Sequence, residues 1–254
     1  MSKSSSKNNN ISGIVLTFNS RLTIEKCLAG LSEVCEEIVI VDSFSTDDTL
    51  KIAEGYTDKI FRRKFKHYGD QLNWAMEKAT GNFILVLDSD EELSSALKEE
   101  IRQEMGKETD FAAYSIPRLS EFMGRWMRFS WKGDRVIRLC KKGAAHYKDR
   151  ELGSSPEISG RVGRLKGNIL HHPYRDLSHY LEKLNYYTTR AAKEMQKQGK
   201  RANPLDLLFR PTWKFFKMYI LKGGILDGIP GLIIACLSSF YVFLKYAKLW
   251  EKKL

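Results

Sequence analysis

Cysteine is scarce in this chain of 254 residues, and the four that occur (Cys27, Cys35, Cys140, Cys236) are scattered with no Cys-x-x-Cys spacing. That favours reduced core residues over disulfides or zinc ligands and fits a cytoplasmic protein. No Gly-x-Gly-x-x-Gly and no Walker loop occurs. A glycine nest is therefore not the means of holding phosphate, and a metal is the remaining route. The first ten residues, Met1 to Asn10, are rich in Ser, Asn and Lys and have no apolar core. They read as a flexible tail, with no secretory signal peptide expected.

What the chain does have is a divided charge. Residues 1–110 hold 14 Lys and Arg against 20 Asp and Glu, while residues 111–254 hold 28 against 11. An acidic first half and a basic second half suggest two jobs, the second beside something anionic.

The first half alternates apolar runs with helical stripes. Ile14 to Phe18, Ile38 to Val41, Lys59 to Phe65 and Phe83 to Leu87 read as strands. Ile24, Cys27, Leu28 and Leu31 recur at helical spacing, as do Leu72, Ala75, Met76 and Ala79, with Gly81 as a C-cap. This alternation predicts an α/β wound parallel sheet. Polar residues gather where the strands end: Thr17 and Asn19, Asp42 and Ser43, Asp88 and Asp90. In such sheets that edge takes ligands. Asp88-Ser89-Asp90 offers hard oxygen ligands suited to Mg²⁺ or Mn²⁺, which in turn clamp a diphosphate. The competing reading is an acidic helix start capped by Ser94 or Ser95.

In the second half, Phe111 to Leu119 and Arg135 to Leu139 read as strands. Between them Phe122 to Trp131 is aromatic and basic, suited to stacking on sugars and pairing with phosphates, or equally to core packing. Leu177, Leu181, Leu184, Tyr187 and Ala191 line one face of a helix over 176–197. Residues 205–219 mix apolar, aromatic and basic side chains, as interfacial segments do. Residues 228–244 then run without a charge. That length is borderline for a span, and Gly223, Gly224, Asp227 and Pro230 favour a hairpin of two shorter segments in one leaflet.

Ile14 to Asn19, Ile38 to Thr49 and Leu85 to Glu91 resemble the three signature segments of family 2 inverting glycosyltransferases of the GT-A fold. The resemblance implies that Asp42 contacts the base or ribose of a sugar nucleotide. It places Asp88 beside ribose and diphosphate, shared with the metal, and Asp90 on the metal. Gln71 and Asn73, in Asp-Gln-Leu-Asn-Trp-Ala, match a segment near the donor. Farther along, Gly160 to Gly167, His171 and Tyr174 to Asn185 resemble the bacterial lipopolysaccharide core glycosyltransferases, a group that includes β-1,4-glucosyltransferases acting on inner-core heptose. That group carries a Val-His-Glu-like element before the Gly-x-Val-Gly-Arg segment, with its Glu as a candidate base. This chain has Arg150-Glu151-Leu152-Gly153-Ser154-Ser155-Pro156-Glu157 there. Glu151 takes the place of the base if the loop is a few residues longer, with Asp149 and Glu157 as alternatives.

The resemblance implies residues 11–175 as a GT-A catalytic domain, with 11–110 for the nucleotide sugar and 111–175 for the acceptor. Residues 176–254 follow as a helical membrane-associating region. It implies transfer of a sugar, glucose from UDP-glucose, to a lipid-anchored phosphorylated glycan at the cytoplasmic face of a bacterial inner membrane. Attachment would be peripheral or monotopic, to an anionic surface. A polyprenyl-phosphate or exopolysaccharide transferase of the same fold is the alternative acceptor class. A non-catalytic membrane or nucleic-acid binding module is the alternative of another kind. No nucleic acid is expected, because carboxylates at three strand ends repel phosphate unless a metal intervenes.

Overall fold

The structure, a computed structural model, describes residues 9–148 and 155–251. Two compact units are present: Met1–Arg118 with Arg135–His171, and Leu119–Asp134 with His172–Leu254.

The first unit begins with the wound part. β1 (Ile11–Thr17), α1 (Ile24–Ser32), β2 (Glu37–Asp42), α2 (Thr49–Ala53), β3 (Ile60–Arg62), α3 (Tyr68–Lys78) and β4 (Phe83–Asp88) follow in order. Their strands pair in the order β3-β2-β1-β4, all parallel. β1, β2 and β4 are apolar throughout because both faces are covered. Val15, Ile40, Leu85 and Leu87 face one core with Leu28 and Leu31 of α1. Ile14, Val39, Val41, Ile84 and Val86 face the other with Leu72 and Ala75 of α3.

Gly81 is not the C-cap that the pattern suggests. α3 is already closed by Ala79 in an extended conformation. Gly81 is needed for close approach instead: a Cβ there would lie 2.7 Å from the backbone N of Ser12.

After β4 the sheet stops being parallel. β5 (Glu91–Leu93) leads into α4 (Ser95–Met105), whose N-cap Ser94 accepts from the Leu97 N–H. β6 (Ala113–Phe122), β7 (Arg125–Trp126), β8 (Arg135–Lys141), β9 (Ala145–His146), β10 (Glu157–Ile158), β11 (Val162–Arg164) and β12 (Ile169–His171) complete the strands. β8 runs antiparallel to both β4 and β6, and β12 lies antiparallel to β5 with His171 opposite Glu91. The purely parallel expectation therefore holds for the first four strands only. Cys27 and Cys140 are buried and Cys35 is half-buried, whereas Cys236 is exposed; all are free thiols.

The second unit is mainly helical: α5 (Leu177–Lys197), α6 (Pro204–Phe216), a π-helical turn over Lys217–Leu221, and α7 (Gly228–Glu251). Asp176 caps α5, and Asn203 with Asp206 forms a capping box on α6. Phe122, Met127, Tyr180, Leu184, Met218, Ile234 and Ala235 make its core. Much of the aromatic–basic stretch is thus used in packing, with Trp131 edge-on to Phe122 at 6.3 Å. Asp227 is buried and its carboxylate accepts from the N–H groups of Arg128, Phe129 and Ser130. The hairpin bends at Gly223–Asp227, and α7 then runs unbroken past Pro230, which sits in the first turn where its missing N–H costs nothing. A Cβ at Gly231 would come 2.0 Å from the Gly224 carbonyl oxygen, so only glycine fits. Gly224–Glu251 is long and apolar enough to cross a membrane.

Candidate active site

Parallel pairing aligns the polar strand ends. Thr17 is opposite Asp42, and Leu16 is opposite Asp88. The ends of β2, β1 and β4 are thus neighbours on one edge, with Asp42 and Asp88 about 10 Å apart across two strand spacings. The loops beyond are cross-linked. The Ser20 and Ser89 hydroxyls hydrogen-bond at 2.8 Å, and the Thr46 N–H donates to the Asn19 Oδ1 at 2.8 Å. Asn19 adopts φ 50°, a conformation Asn tolerates, which turns its side chain onto that loop.

Asp42 is 0% exposed, and both its oxygens serve Ser45: Oδ2 accepts from the N–H at 2.9 Å, Oδ1 from the hydroxyl at 2.5 Å. It holds the shape of the 43–49 loop. Thr17 is also buried, and its Oγ1 has no hydrogen-bond partner among the described residues. Gln71 is buried too and ties α3 to the same edge, donating to Ser43 Oγ at 3.3 Å and to the Arg63 carbonyl at 3.0 Å.

Asn73 turns elsewhere. It exchanges two hydrogen bonds with the backbone of Tyr147, at 2.8 and 3.0 Å. A Cβ at Gly69 would meet the Lys148 carbonyl oxygen at 2.6 Å, so glycine lets residues 147–148 lie directly on α3. Asp149 and Glu151 lie outside the described residues. Glu157 is exposed in β10 and ion-paired with Lys148.

Asp88 is not one half of a bare carboxylate pair. Its Oδ1 accepts from the Tyr68 hydroxyl at 2.7 Å, and its Oδ2 is paired with Arg138. Arg138 also donates to Tyr68 Oη at 2.6 Å and to Glu91 Oε1 at 3.0 Å. Arg118 reaches the same Glu91 oxygen at 3.2 Å, and the Asp88 N–H donates to Glu91 Oε2 at 3.1 Å. Burial works against charge on Arg138, but Asp88 and Glu91 outweigh it and hold its pKa well above the ordinary value. Burial pushes the Tyr68 phenol up, with Arg138 opposing and Asp88 adding. Tyr68 is therefore a fixed donor, and Asp88 is an oriented anion at the strand end.

Asp90 faces a different neighbour. Its Oδ1 is 3.6 Å from His171 Nε2, the two side chains being 27% and 15% exposed. β12 delivers His171 there by pairing with β5. Among the described residues no group of three or more His, Cys, Asp and Glu side chains gathers as a metal site. A carboxylate and an imidazole nevertheless fit Mn²⁺ or Mg²⁺, ions that commonly take only one or two protein ligands beside a bound diphosphate. Sequence reasoning singled out neither His171 as Asp90's neighbour nor Arg138 as Asp88's. Each reaches the site from a distant strand whose placement no local pattern announces.

Solved structures share this architecture. A mannosyltransferase from Pyrobaculum calidifontis, in complex with GDP-Man and Mn²⁺, superposes with a TM-score of 0.58 at 14% identity, over 96% of this chain and 88% of that one. S. aureus TarS 1-349 in complex with UDP-GlcNAc does so with a TM-score of 0.53 at 17% identity, over 95% and 92%. The fold is of the GT-A class. The sequence model of glycosyl transferase family 2 matches residues 12–160, and the chain belongs to that family. It resembles lipopolysaccharide core enzymes: LpsC of Rhizobium meliloti (strain 1021), a lipopolysaccharide core biosynthesis glycosyltransferase, is 29% identical over 252 residues, spanning 95% of this chain and 92% of LpsC. An uncharacterized glycosyltransferase of Rickettsia typhi is 26% identical over 256 residues, spanning 96% and 88%.

Proposed function

We propose that this glycosyltransferase is inverting and metal-dependent. In this reading it moves glucose from UDP-glucose to a phosphorylated, lipid-anchored lipopolysaccharide core acceptor at the cytoplasmic face of the inner membrane. The observation that supports the donor half is that Thr17, Asp42 and Asp88 end three neighbouring strands, with Asp88 held by Tyr68 and Arg138 and Asp90 two residues farther along the chain. The likeness to LpsC supports the acceptor half.

Each side chain has a task in this reading. Asp42 and Asn19 hold the 43–49 loop against the nucleotide, with Gln71 bracing it from α3. Thr17 lines the floor of the nucleotide end. Asp88 meets the ribose and the diphosphate in a fixed orientation. Asp90 and His171 hold a divalent ion, which when bound neutralises charge on the departing diphosphate. Asn73 acts by positioning, through Tyr147, the chain that leads into residues 149–154. From there Glu151, or Asp149, takes the proton of the acceptor hydroxyl as its oxygen attacks C1 opposite the leaving group. A single displacement of this kind turns an α-linked donor into a β-linked product.

Attachment to the membrane is by the helical unit lying in one leaflet. α7 is long enough to span, but Ile234 and Ala235 belong to the core of that unit, and a transverse α7 would leave it. Two variants test the reading. Asp90→Ala abolishes sugar transfer with circular dichroism unchanged, and full activity in it contradicts the assignment. Glu151→Gln lowers turnover by about a hundredfold or more; near-normal turnover moves the role of base to Asp149 or Glu157.

A further inference from the structure

The helical unit contains a cavity of about 370 Å³ between α6, α7 and the turn at Ser130–Trp131. Its size is that of a small-ligand pocket. Arg210, Lys214, Lys217, Lys222 and Lys245 line it, and no carboxylate does. Among the described residues only Arg210 of these has an ion-pair partner, Asp206. Partial burial, then Lys222, Lys217 and Lys245, lowers the pKa of Lys214; burial, then Arg210 and Lys200, lowers that of Lys245. Positive charge is thus concentrated here, offset among the described residues only by Asp206 at Arg210, and it attracts an anion.

A second observation also points to a ligand. Ser130 lies at the pocket wall, is 1% exposed, and its Oγ has no hydrogen-bond partner among the described residues. A buried hydroxyl without a partner, in the wall of a pocket lined by four lysines that have no carboxylate partner among the described residues, suits an incoming phosphate oxygen.

The surroundings identify the carrier of that phosphate. On α6 and the π turn, Phe209, Trp213, Phe216 and Ile220 recur at helical spacing and are all 43–62% exposed. Arg210, Lys214 and Lys217 follow the same spacing one residue along, so an apolar stripe runs beside the basic one. Trp213 belongs to both, as an exposed residue and a pocket wall. Leu226, Ile229 and Leu232 extend the exposed apolar surface into the start of α7. A free anion needs no such rim, whereas a lipid presents phosphate and acyl chain together.

We propose that this pocket binds the phosphate headgroup of an anionic membrane lipid, with the stripe from Phe209 to Ile220 in the acyl boundary. The proposal deepens the membrane-attached reading above and rests on it. The site is separate in sequence and in structural unit from the strand-end carboxylates, so it can be tested without assaying transfer.

The test uses the full chain, flotation with phosphatidylcholine vesicles containing or lacking phosphatidic acid, and tryptophan fluorescence titrated with short-chain phosphatidic acid or inorganic phosphate. Wild type floats preferentially with phosphatidic acid, and its fluorescence saturates with the short-chain lipid. K214E/K245E loses that preference by about tenfold or more, as removal of several surface cations near a membrane requires. The milder K214Q/K245Q loses part of it, which guards against misfolding. K193E/K197E, an equal charge change on exposed residues of α5, retains it. Equal losses in the α5 and pocket variants overturn the pocket in favour of diffuse attraction. An equal fluorescence response to inorganic phosphate overturns the lipid assignment. Flotation retained by K214E/K245E with no lipid-specific fluorescence change removes the pocket but leaves membrane attachment standing. No flotation of wild type removes both.

Discussion

Arg138 is the residue on which the strand-end site turns, because it is the buried cation that both Asp88 and Glu91 share. Removing it leaves Glu91, 1% exposed, with Arg118 as its one cation among the described residues and the Asp88 N–H as a neutral donor. Arg138→Met is expected to cost about 3 kcal/mol at neutral pH, the penalty of stranding buried charge. Urea unfolding of the variant beside wild type at neutral pH checks this. Glu37 offers the opposite sign. Burial raises its pKa, but hydrogen bonds from Lys59, Ser12 and Thr80 outweigh this and bring it down to about 2. A depressed carboxylate pKa stabilises the fold above the unfolded value and is lost as pH falls through the folded one. The window therefore runs from about pH 4.5 down to about 2. Glu37→Gln is expected to lower stability by about 1–3 kcal/mol at neutral pH and to flatten the acid limb of the stability profile, read by thermal melts across that range.

At the level of elements, α3 does more than cover the sheet. Its N-terminal half supplies Tyr68 to Asp88, Gln71 to the 43–49 loop and, through Gly69, a seat for residues 147–148. Gly69→Ala is expected to cost about 1–3 kcal/mol of stability. In the function proposed above it is also expected to lower turnover by about tenfold or more, because residues 147–148, which lead toward the proposed base, are displaced; steady-state kinetics beside a denaturation curve separates the two effects. The elements legible in the sequence are those with long signals. β1, β2 and β4 are unbroken apolar runs, and α1 and α5 carry clear helical stripes, that of α5 opening on the cap residue Asp176. The illegible ones are short or non-local. β5 and β12 have three residues each, too few for any periodicity. The antiparallel insertion of β8 between β4 and β6 depends on tertiary pairing that no local pattern records. The site divides the same way. Thr17, Asp42 and Asp88 are visible because they end unbroken apolar strands, and Asp90 because it follows one of them by two residues. His171 and Arg138 are not, because their partners are distant in sequence and meet them only through β12 and β8.

Across the whole molecule, the division of charge in the sequence follows a division of work. The acidic part supplies a strand edge whose carboxylates are held by Ser45, Tyr68, Arg138 and His171, and the basic part supplies helices rich in Lys and Arg. In the function proposed above, a divalent ion at Asp90 and His171 reconciles the first with its ligand. The most direct test is calorimetric titration of UDP-glucose into the full chain, with and without Mn²⁺, for wild type and Asp90→Ala. The account predicts saturable binding that requires Mn²⁺ and weakens by about tenfold or more in the variant, as loss of a charge-assisted metal ligand implies. Binding of equal strength without the ion, in both proteins, would contradict it.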